Sequence, residues 1–502
     1  MAGLSRRAFI GTSSALALAW GIPKGVMGSA LAQPLEPNVQ APTTLNQTIL
    51  QRSVAQKNNF HTLLPFSGEP YLPRFDVLGK KAKASRVNSR RSLAYLGHMT
   101  DIHIQDTQSP ARLQAAAGSP EPNIIPGGFR PQEALTIHVQ AAMLATINAA
   151  KYSPVTGAPM AALLNTGDTA DQHSELELQW SIQCMDGLTV TPNSGAPGVY
   201  DGPQVWDDAT YAFHPDGGPG NTRYDDYGFP LVPGMMTAAV SEPVPSQGSP
   251  VPWYTTYGNH DTLYNGVFPI DPALQSLAVG QRKAVTWQAL LSNSFEGWAN
   301  DPTIFTRLEN TLKTQFGQDS GSRTVPSDPG RKLFEQAWFM QAHFDTPDKP
   351  GPVGHGFTQN NLDTGETWYK ADIGPNLRLF GLDTCNQVMG ADGAVPEDQF
   401  IWLEGELAQA KKDNVLCMIL SHHNSLTLEN GALSVFGPNQ RLIHAEEFIS
   451  MLHKYPNMIA WVNGHTHINT IIAHPKPDGD GGFWEVTTAS CIDFPQQQQM
   501  FE

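Results

Sequence analysis

The sequence predicts an α/β layered fold with its functional site at the strand ends, and three observations predict it: short apolar runs recur along the chain, segments of helical period lie between them, and each run closes on a polar loop rich in Asp, Asn and His. Leu93 to Leu96 is the first run and delivers His98-Met99-Thr100-Asp101 at its carboxyl end. Pro131 then opens a helix whose apolar positions Leu135, Val139, Met143 and Ile147 recur every four residues. Ala161 to Leu164 is a second strand ending at Asn165-Thr166-Gly167-Asp168, and Trp253 to Thr256 a third, ending at Gly258-Asn259-His260-Asp261. A helix over 397–411 precedes the strand Val415 to Leu420, which leads into Ser421-His422-His423. A helix over 440–454 precedes Met458 to Val462 and Asn463-Gly464-His465, and a last strand runs from Phe483 to Thr488. Two segments break the alternation: 186–250, rich in Gly, Pro and aromatics, and 262–360, with helical patterns at Trp287 to Trp298, Thr303 to Phe316 and Lys332 to Phe344. Both follow motif loops and are expected to roof the site. With no internal repeat and no linker, residues 91–502 form one domain behind an N-terminal extension, 33–90, that is polar and then basic and hugs the surface.

Of the 502 residues 40% are hydrophobic and 16% charged, with 45 Gly and 40 Pro, the composition of a globular protein carrying long ordered loops. The formal charge is −16, and the first 32 residues contribute Arg6, Arg7 and Lys24 without an acid, so the remainder is more acidic still. Such a body repels polyanions, so a nucleic-acid duplex held through many phosphate contacts is not expected as a partner, while a small phosphate ester at a locally cationic metal centre remains open. Ser5-Arg6-Arg7-Ala8-Phe9-Ile10, an apolar stretch through Trp20 and the small residues of Ala30-Leu31-Ala32 have the form of a cleaved export signal over residues 1–32, and the paired arginines resemble the twin-arginine type read by its own export machinery. Gly11 and Pro23 interrupt a run already shorter than the ~18 residues a membrane span needs, and no later stretch could span, so the mature chain is expected to be periplasmic or extracellular. Cys184, Cys385, Cys417 and Cys491 are too few for a disulfide framework and read as buried thiols, with a single disulfide as the alternative.

The polar loops hold the chemistry. Five strand ends in order carry carboxylate, imidazole or carboxamide groups, the O and N donors that suit Mn, Fe or Zn. In an extended segment alternate side chains share a face, so Asp101 and His103, and likewise His465 and His467, are expected to converge as pairs. Two cations ~3.5–4 Å apart need a shared anionic ligand, and Asp168, on a turn opened by Gly167, is the candidate.

Asp101-x-His103, Gly167-Asp168-x-x-Asp171, Gly258-Asn259-His260-Asp261, His422 and Gly464-His465-x-His467 together resemble the ordered motif set of the calcineurin-like metallophosphoesterases, over residues 98–467. The resemblance implies a four-layer αββα sandwich of two central sheets flanked by helices. It implies one metal held by Asp101, His103, Asp168 and His467 and a second held by Asp168, Asn259, His422 and His465, with His422 chosen over His423 by alignment to the family. Pro352-Val353-Gly354-His355-Gly356-Phe357 and Asp493-Phe494-Pro495-Gln496-Gln497 further resemble a bacterial, twin-arginine-exported subgroup. Asp171 stands where purple acid phosphatases place a Tyr, so a tyrosinate-bound ferric ion is not expected. Relatives usually continue with another strand beyond Phe483 to Thr488, from which an incomplete C-terminus is expected.

The implied activity is hydrolysis of a phosphomonoester or phosphodiester by a hydroxide bridging two divalent or trivalent ions. His260 would stabilise and protonate the leaving oxygen, with Asp261 orienting its imidazole. Asp171 either orients a ligand or caps the following helix. His355 is either a substrate contact or a satisfied loop histidine; Arg130 either binds phosphate or packs, and His98 lies near the site by sequence. Trp206, Tyr211, Tyr224, Tyr227 and Phe229 form either a ligand wall or a loop core. The competing function is a catalytically silent binding module of the cell envelope that keeps the fold.

Overall fold

The computed structural model describes residues 44, 47–51, 63–69, 72, 74–77, 85, 91–119, 127–225, 229–267, 269–270, 272–286, 321–347, 349–386, 390–431, 440–477, 479 and 481–502. The export signal over 1–32, the helical patterns at 287–298 and 303–316, and Tyr227 lie outside these residues.

Two sheets carry the architecture. The first holds β1 (Tyr95–Met99), β2 (Met160–Asn165), β3 (Trp253–Thr255) and, from the C-terminus, β10 (Gln499–Phe501), in the order β10-β1-β2-β3. The second holds β4 (Tyr369–Asp372), β5 (Leu377–Gly381), β6 (Leu416–Leu420), β7 (Met458–Asn463), β8 (Thr470–Pro475) and β9 (Gly482–Thr487), in the order β8-β9-β7-β6-β5-β4. The central pairings β1–β2, β2–β3, β5–β6, β6–β7 and β7–β9 are parallel, and β10, β8 and β4 close the edges antiparallel. Parallel neighbours put their carboxyl ends on one side, which is how distant loops come to meet.

Side-chain alternation sets the layers. On β6, Met418 and Leu420 join the core shared with Leu163 and Leu164 of the first sheet, while Cys417 and Ile419 join a separate core with Leu403, Leu407, Phe448 and Leu452. Those last four belong to α4 (Glu397–Lys412) and α5 (Ala445–Leu452), which cover the outer face of the second sheet. Ile137, Leu144 and Ile147 of α1 (Thr136–Ala149) and Leu178 and Ile182 of α2 (Glu175–Met185) pack with the first sheet. The result is an αββα sandwich with long insertions, held by side chains each worth about 1.5–3 kcal/mol when fully buried. Ser174 caps α2, its hydroxyl accepting from Glu177 N at 3.3 Å. Acids Glu397 and Asp398 open α4 and Lys411 and Lys412 close it, matching the helix dipole.

Several elements differ from expectation. The buried face of α1 is Thr136, Ile137, Gln140, Leu144 and Ile147, with Val139 and Met143 only partly buried against the core, and Gln140 Nε2 donates to Ser181 Oγ on α2 at 2.9 Å. The 440–454 segment divides into a two-residue strand, Leu442–Ile443, and the shorter α5. The extension contributes an antiparallel pair, Gln47–Gln51 with Leu63–Ser67, and Arg74 reaches the second sheet, stacking over Trp484 at 4.8 Å. A strand beyond Thr488 is present as β10.

In the insertions, a helix over Gln336–Phe344, α3, packs Phe339 and Met340 into the main core. Trp206, Tyr211 and Tyr224 are buried, and Phe213, Tyr224 and Phe229 form a ring cluster, so these aromatics are a loop core. All four cysteines are free buried thiols. Among the described residues no helix is long and apolar enough to cross a membrane.

Candidate metal centre

Seven side chains from five strand-end loops meet where the two sheets abut. Asp101 and His103 follow β1, Asp168 follows β2, Asn259 follows β3, His422 follows β6, and His465 and His467 follow β7. The backbone is drawn tight here: Asp101, His103, Asp168, His465 and His467 all have left-handed φ values between 48 and 69°. Non-glycine residues rarely adopt this conformation, at a cost of about 1–3 kcal/mol each, and they concentrate at functional sites. The pairs Asp101/His103 and His465/His467 therefore converge as expected but not because the segments are extended; it is the left-handed turns that aim them. Gly167 and Gly464 permit the approach: a Cβ on Gly167 would strike the backbone of Gly258, and one on Gly464 would strike Thr100 and Asp101.

The donors fall into two groups sharing Asp168. In one, His103 Nε2 lies 3.4 Å from Asp168 Oδ2, 3.3 Å from His467 Nε2 and 4.0 Å from Asp101 Oδ1, and His467 Nε2 lies 3.3 Å from the same Asp101 oxygen. In the other, His422 Nε2 lies 3.3 Å from Asp168 Oδ2, 2.9 Å from Asn259 Oδ1 and 3.1 Å from His465 Nδ1. Subsets of these residues lie within reach of a common metal ion.

The hydrogen bonds behind the donors decide what faces inward. His103 Nδ1 donates to Asp171 Oδ1 at 2.7 Å, His467 Nδ1 donates to Asp493 Oδ2 at 2.7 Å, and His422 Nδ1 donates to the Thr166 carbonyl at 2.8 Å. Each of these imidazoles, when neutral, thus presents a lone pair at Nε2. Asn259 donates through Nδ2 to Gly266 O at 3.2 Å, leaving its oxygen inward. The Asp168 Oδ1 accepts from His260 N at 2.8 Å, leaving Oδ2 between His103 and His422. Lone pairs converge from every side, an arrangement that is stable only around positive charge. Burial opposes protonation of His422 and His467, yet the carboxylates of Asp168 and Asp101 outweigh it and push them up to about 9 and about 10. His465 goes the other way, to about 3, through burial and then the neighbouring His422. Burial also opposes ionisation of Asp101 and Asp168, and the surrounding imidazoles still hold both below the usual carboxylate range. Hard-to-borderline oxygen and nitrogen donors in two clusters that share one carboxylate fit metal binding.

His423 has both ring nitrogens committed elsewhere, to Thr384 Oγ1 at 2.9 Å and Ala391 O at 2.8 Å, so His422 is the member of the doublet in the cluster. His260 stands at the rim with its side chain 20% exposed and Nδ1 donating to the Asp171 carbonyl at 2.8 Å. Asp261 departs from its expected place. It is fully buried and accepts from the amides of Gly258, Thr169 and Ala170 at 2.9–3.1 Å, so it ties two motif loops together while Asp171 orients His260. Burial and then the charge of Asp168 push its carboxyl up to about 7. Asp171 does not cap a helix; it backs His103 and pairs with the buried Arg112.

His355 is likewise no substrate contact: it is buried, stacked on Trp253 at 3.5 Å, and bonded to Thr346 Oγ1 at 3.0 Å. His98 is buried between Thr166 and Thr488 hydroxyls. Arg130 lies beside the centre, but on carboxylates: its Nε donates to Asp493 Oδ1 at 2.8 Å and its Nη1 lies 3.6 Å from Asp171 Oδ1. Arg112 carries no local signal in the sequence, and the run that begins at Asp493 is marked there only by its resemblance to a subgroup, without a role at the centre.

No protein-family model matches the sequence, and no curated protein matches it. Among solved structures the chain is similar to a dimetal phosphatase from Danio rerio, at 10% identity over 81% of this chain and 90% of that one, TM-score 0.35. It is similar to PhoD, at 9% identity over 80% of this chain and 57% of that one, TM-score 0.28. It is also similar to the sulfate thiohydrolase SoxB of Thermus thermophilus, in complex with glycerol, at 12% identity over 80% and 53%, TM-score 0.27. The chain therefore spans little more than half the length of the last two.

Proposed function

We propose that the chain is an exported, binuclear metal-dependent phosphoesterase of the calcineurin-like metallophosphoesterase type, hydrolysing a phosphomonoester or phosphodiester. The observation that carries this reading is the convergence of lone pairs from Asp101, His103, Asp168 and His467 on one side and Asp168, Asn259, His422 and His465 on the other. We assign these residues as the ligands of two divalent or trivalent ions, Mn, Fe or Zn, with Asp168 shared. Bound there, the ions would supply Lewis acidity for phosphoryl oxygens and for deprotonating water.

The chain's own groups do the rest. Asp171 O accepts from Nδ1 of His260, so it is the doubly protonated ring that offers an Nε2 proton to the leaving oxygen. Asp171 and Asp493 hold the His103 and His467 rings so that Nε2 faces inward, and Thr166 O does so for His422. The buried left-handed turns keep these groups from relaxing as charge develops on the phosphoryl oxygens. Export rests on the twin-arginine-type signal, with the twin-arginine machinery as partner and the periplasm or exterior as destination.

Release of product from an aryl phosphomonoester and a bis-aryl phosphodiester in the presence of Mn²⁺ tests the reading. His260→Ala should lose on the order of 10²–10⁴-fold in rate while retaining its metal. Full metal content without hydrolysis of any ester would leave a binding module instead.

A further inference from the structure

The Asp493-Phe494-Pro495-Gln496-Gln497 run enters the centre through its first residue, which holds the His467 ring. Asp493 divides its carboxylate: Oδ2 accepts from His467 Nδ1 at 2.7 Å, and Oδ1 accepts from Arg130 Nε at 2.8 Å, with Arg130 Nη2 a further 3.2 Å donor to Oδ2. Arg130 also stands 3.6 Å from Asp171, the carboxylate behind His103. One guanidinium thus spans the two carboxylates that back two imidazoles whose Nε2 atoms face each other at 3.3 Å. The other group is built differently. His422 leans on a neutral carbonyl, and His465 turns Nδ1 inward with Nε2 left 4.0 Å from Asp392, beyond a hydrogen bond.

The loop carrying Asp493 is itself held in place. Asp493 N donates to Ser490 Oγ at 2.9 Å, Gln496 N to Asp493 O at 2.7 Å and Gln497 N to Ser490 O at 3.2 Å. Gln132 Nε2 donates to Ile492 O at 3.0 Å, and Cys491 N donates to Asp101 O at 3.1 Å, joining the loop to the first motif.

We propose that Asp493 and Arg130 are positioning residues for His467, and that the C-terminal loop thereby sets the affinity of one metal position, that of Asp101, His103, Asp168 and His467, without setting the other. This rests on the binuclear reading above. A carboxylate behind an imidazole fixes the tautomer that leaves Nε2 free and makes that nitrogen a stronger ligand, and losing such a partner costs 10–100-fold in metal affinity. A neutral carbonyl fixes the tautomer with less gain in basicity, so the two positions respond differently to the loop.

The test is calorimetric titration of Mn²⁺ into the metal-stripped full chain, for wild type, Asp493→Asn, Asp493→Glu, Arg130→Gln and, as a control near the other group, Asp392→Asn. Wild type and Asp392→Asn should take up two equivalents. Asp493→Asn should keep one at wild-type affinity and weaken the other by roughly 10–100-fold, with Asp493→Glu restoring part of the loss, Arg130→Gln showing a smaller loss, and the metal-free melting temperatures unchanged. Wild-type affinity for both equivalents in Asp493→Asn and Arg130→Gln overturns the proposal and leaves the binuclear reading standing. Equal weakening of both equivalents in Arg130→Gln, the milder variant, also overturns it. A wild type that takes up no metal overturns the binuclear reading and the proposal together.

Discussion

The four-stranded sheet brings two acids, a carboxamide and one imidazole to the centre, whereas the six-stranded sheet brings imidazoles alone: His422, His465 and His467. Neither sheet holds a complete set of donors. His422 Nδ1 crosses the seam to Thr166 O at 2.8 Å, and His465 N crosses it to Asp101 Oδ2 at 3.1 Å. The centre therefore forms only when the two sheets pack, with the acids on one side of the seam facing the imidazoles on the other.

The sharpest way to break this division of labour is at the shared carboxylate. Asp168→Ala should abolish binding of both metal equivalents and lower hydrolysis by on the order of 10³-fold or more, beyond the 10²–10³-fold typical of one lost electrostatic donor. Metal analysis alongside rate measurement checks it; retention of either equivalent would contradict a shared role.

Support behind the acidic half comes next. Arg112 is buried against Asp171 and Glu133, donating to Glu133 Oε2 at 3.3 Å and Gly127 O at 2.8 Å. Arg112→Met would leave Glu133 without its guanidinium and Asp171 with Arg130 alone, and should destabilise the fold by about 3–5 kcal/mol, read from denaturant unfolding.

A third contrast separates histidines that face the acids from those that pack between layers. His422 and His467 are pushed up, but burial lowers His343, in the core beside Phe339 and Trp253, to about 4. Above pH 6.5 neither folded nor unfolded chain protonates this group, and it costs nothing. Between pH 6.5 and 4 the unfolded chain takes up a proton that the folded chain refuses, so stability falls as pH falls through this window and levels off below it. The contribution is about 3 kcal/mol at most. Unfolding at pH 7 and pH 4.5 should show a shallower decline for His343→Leu than for wild type.

The smallest expected effect is at the seam. Gly464→Ala would push a methyl group against Thr100 and Asp101, costing about 1–3 kcal/mol and weakening metal uptake. A melting temperature and metal affinity matching wild type would mean that the seam can widen there.

Much of this centre was legible in the sequence because it is built from parallel strands, whose carboxyl ends gather by topology, and because Asp, Asn and His stand together at five of those ends. What was not legible depends on contacts without local pattern. Asp493 reaches His467 across 26 residues through a loop, and the motif that begins at Asp493 says nothing of that contact. The left-handed turns at Asp101 and His465 replace the extended geometry that alternation suggests, since φ above zero at a non-glycine residue has no compositional signal. Asp261 looked like a partner for the neighbouring His260, but three free amides lay closer to it. For His355, flanked by glycines, the sequence leaves a substrate contact and a satisfied loop histidine open, and only the stacking on Trp253 shows that it is core. The edge strands β4, β8 and β10 escaped notice at sheet margins, where burial imposes the weakest pattern, and so did β5, although it is buried inside its sheet.

Titration of Mn²⁺ into the metal-stripped full chain, followed by electron paramagnetic resonance, tests the central claim most directly. The geometry predicts uptake of two ions per chain with the exchange-coupled signal of a pair sharing Asp168. Uptake of isolated, uncoupled ions, or of none, would contradict it.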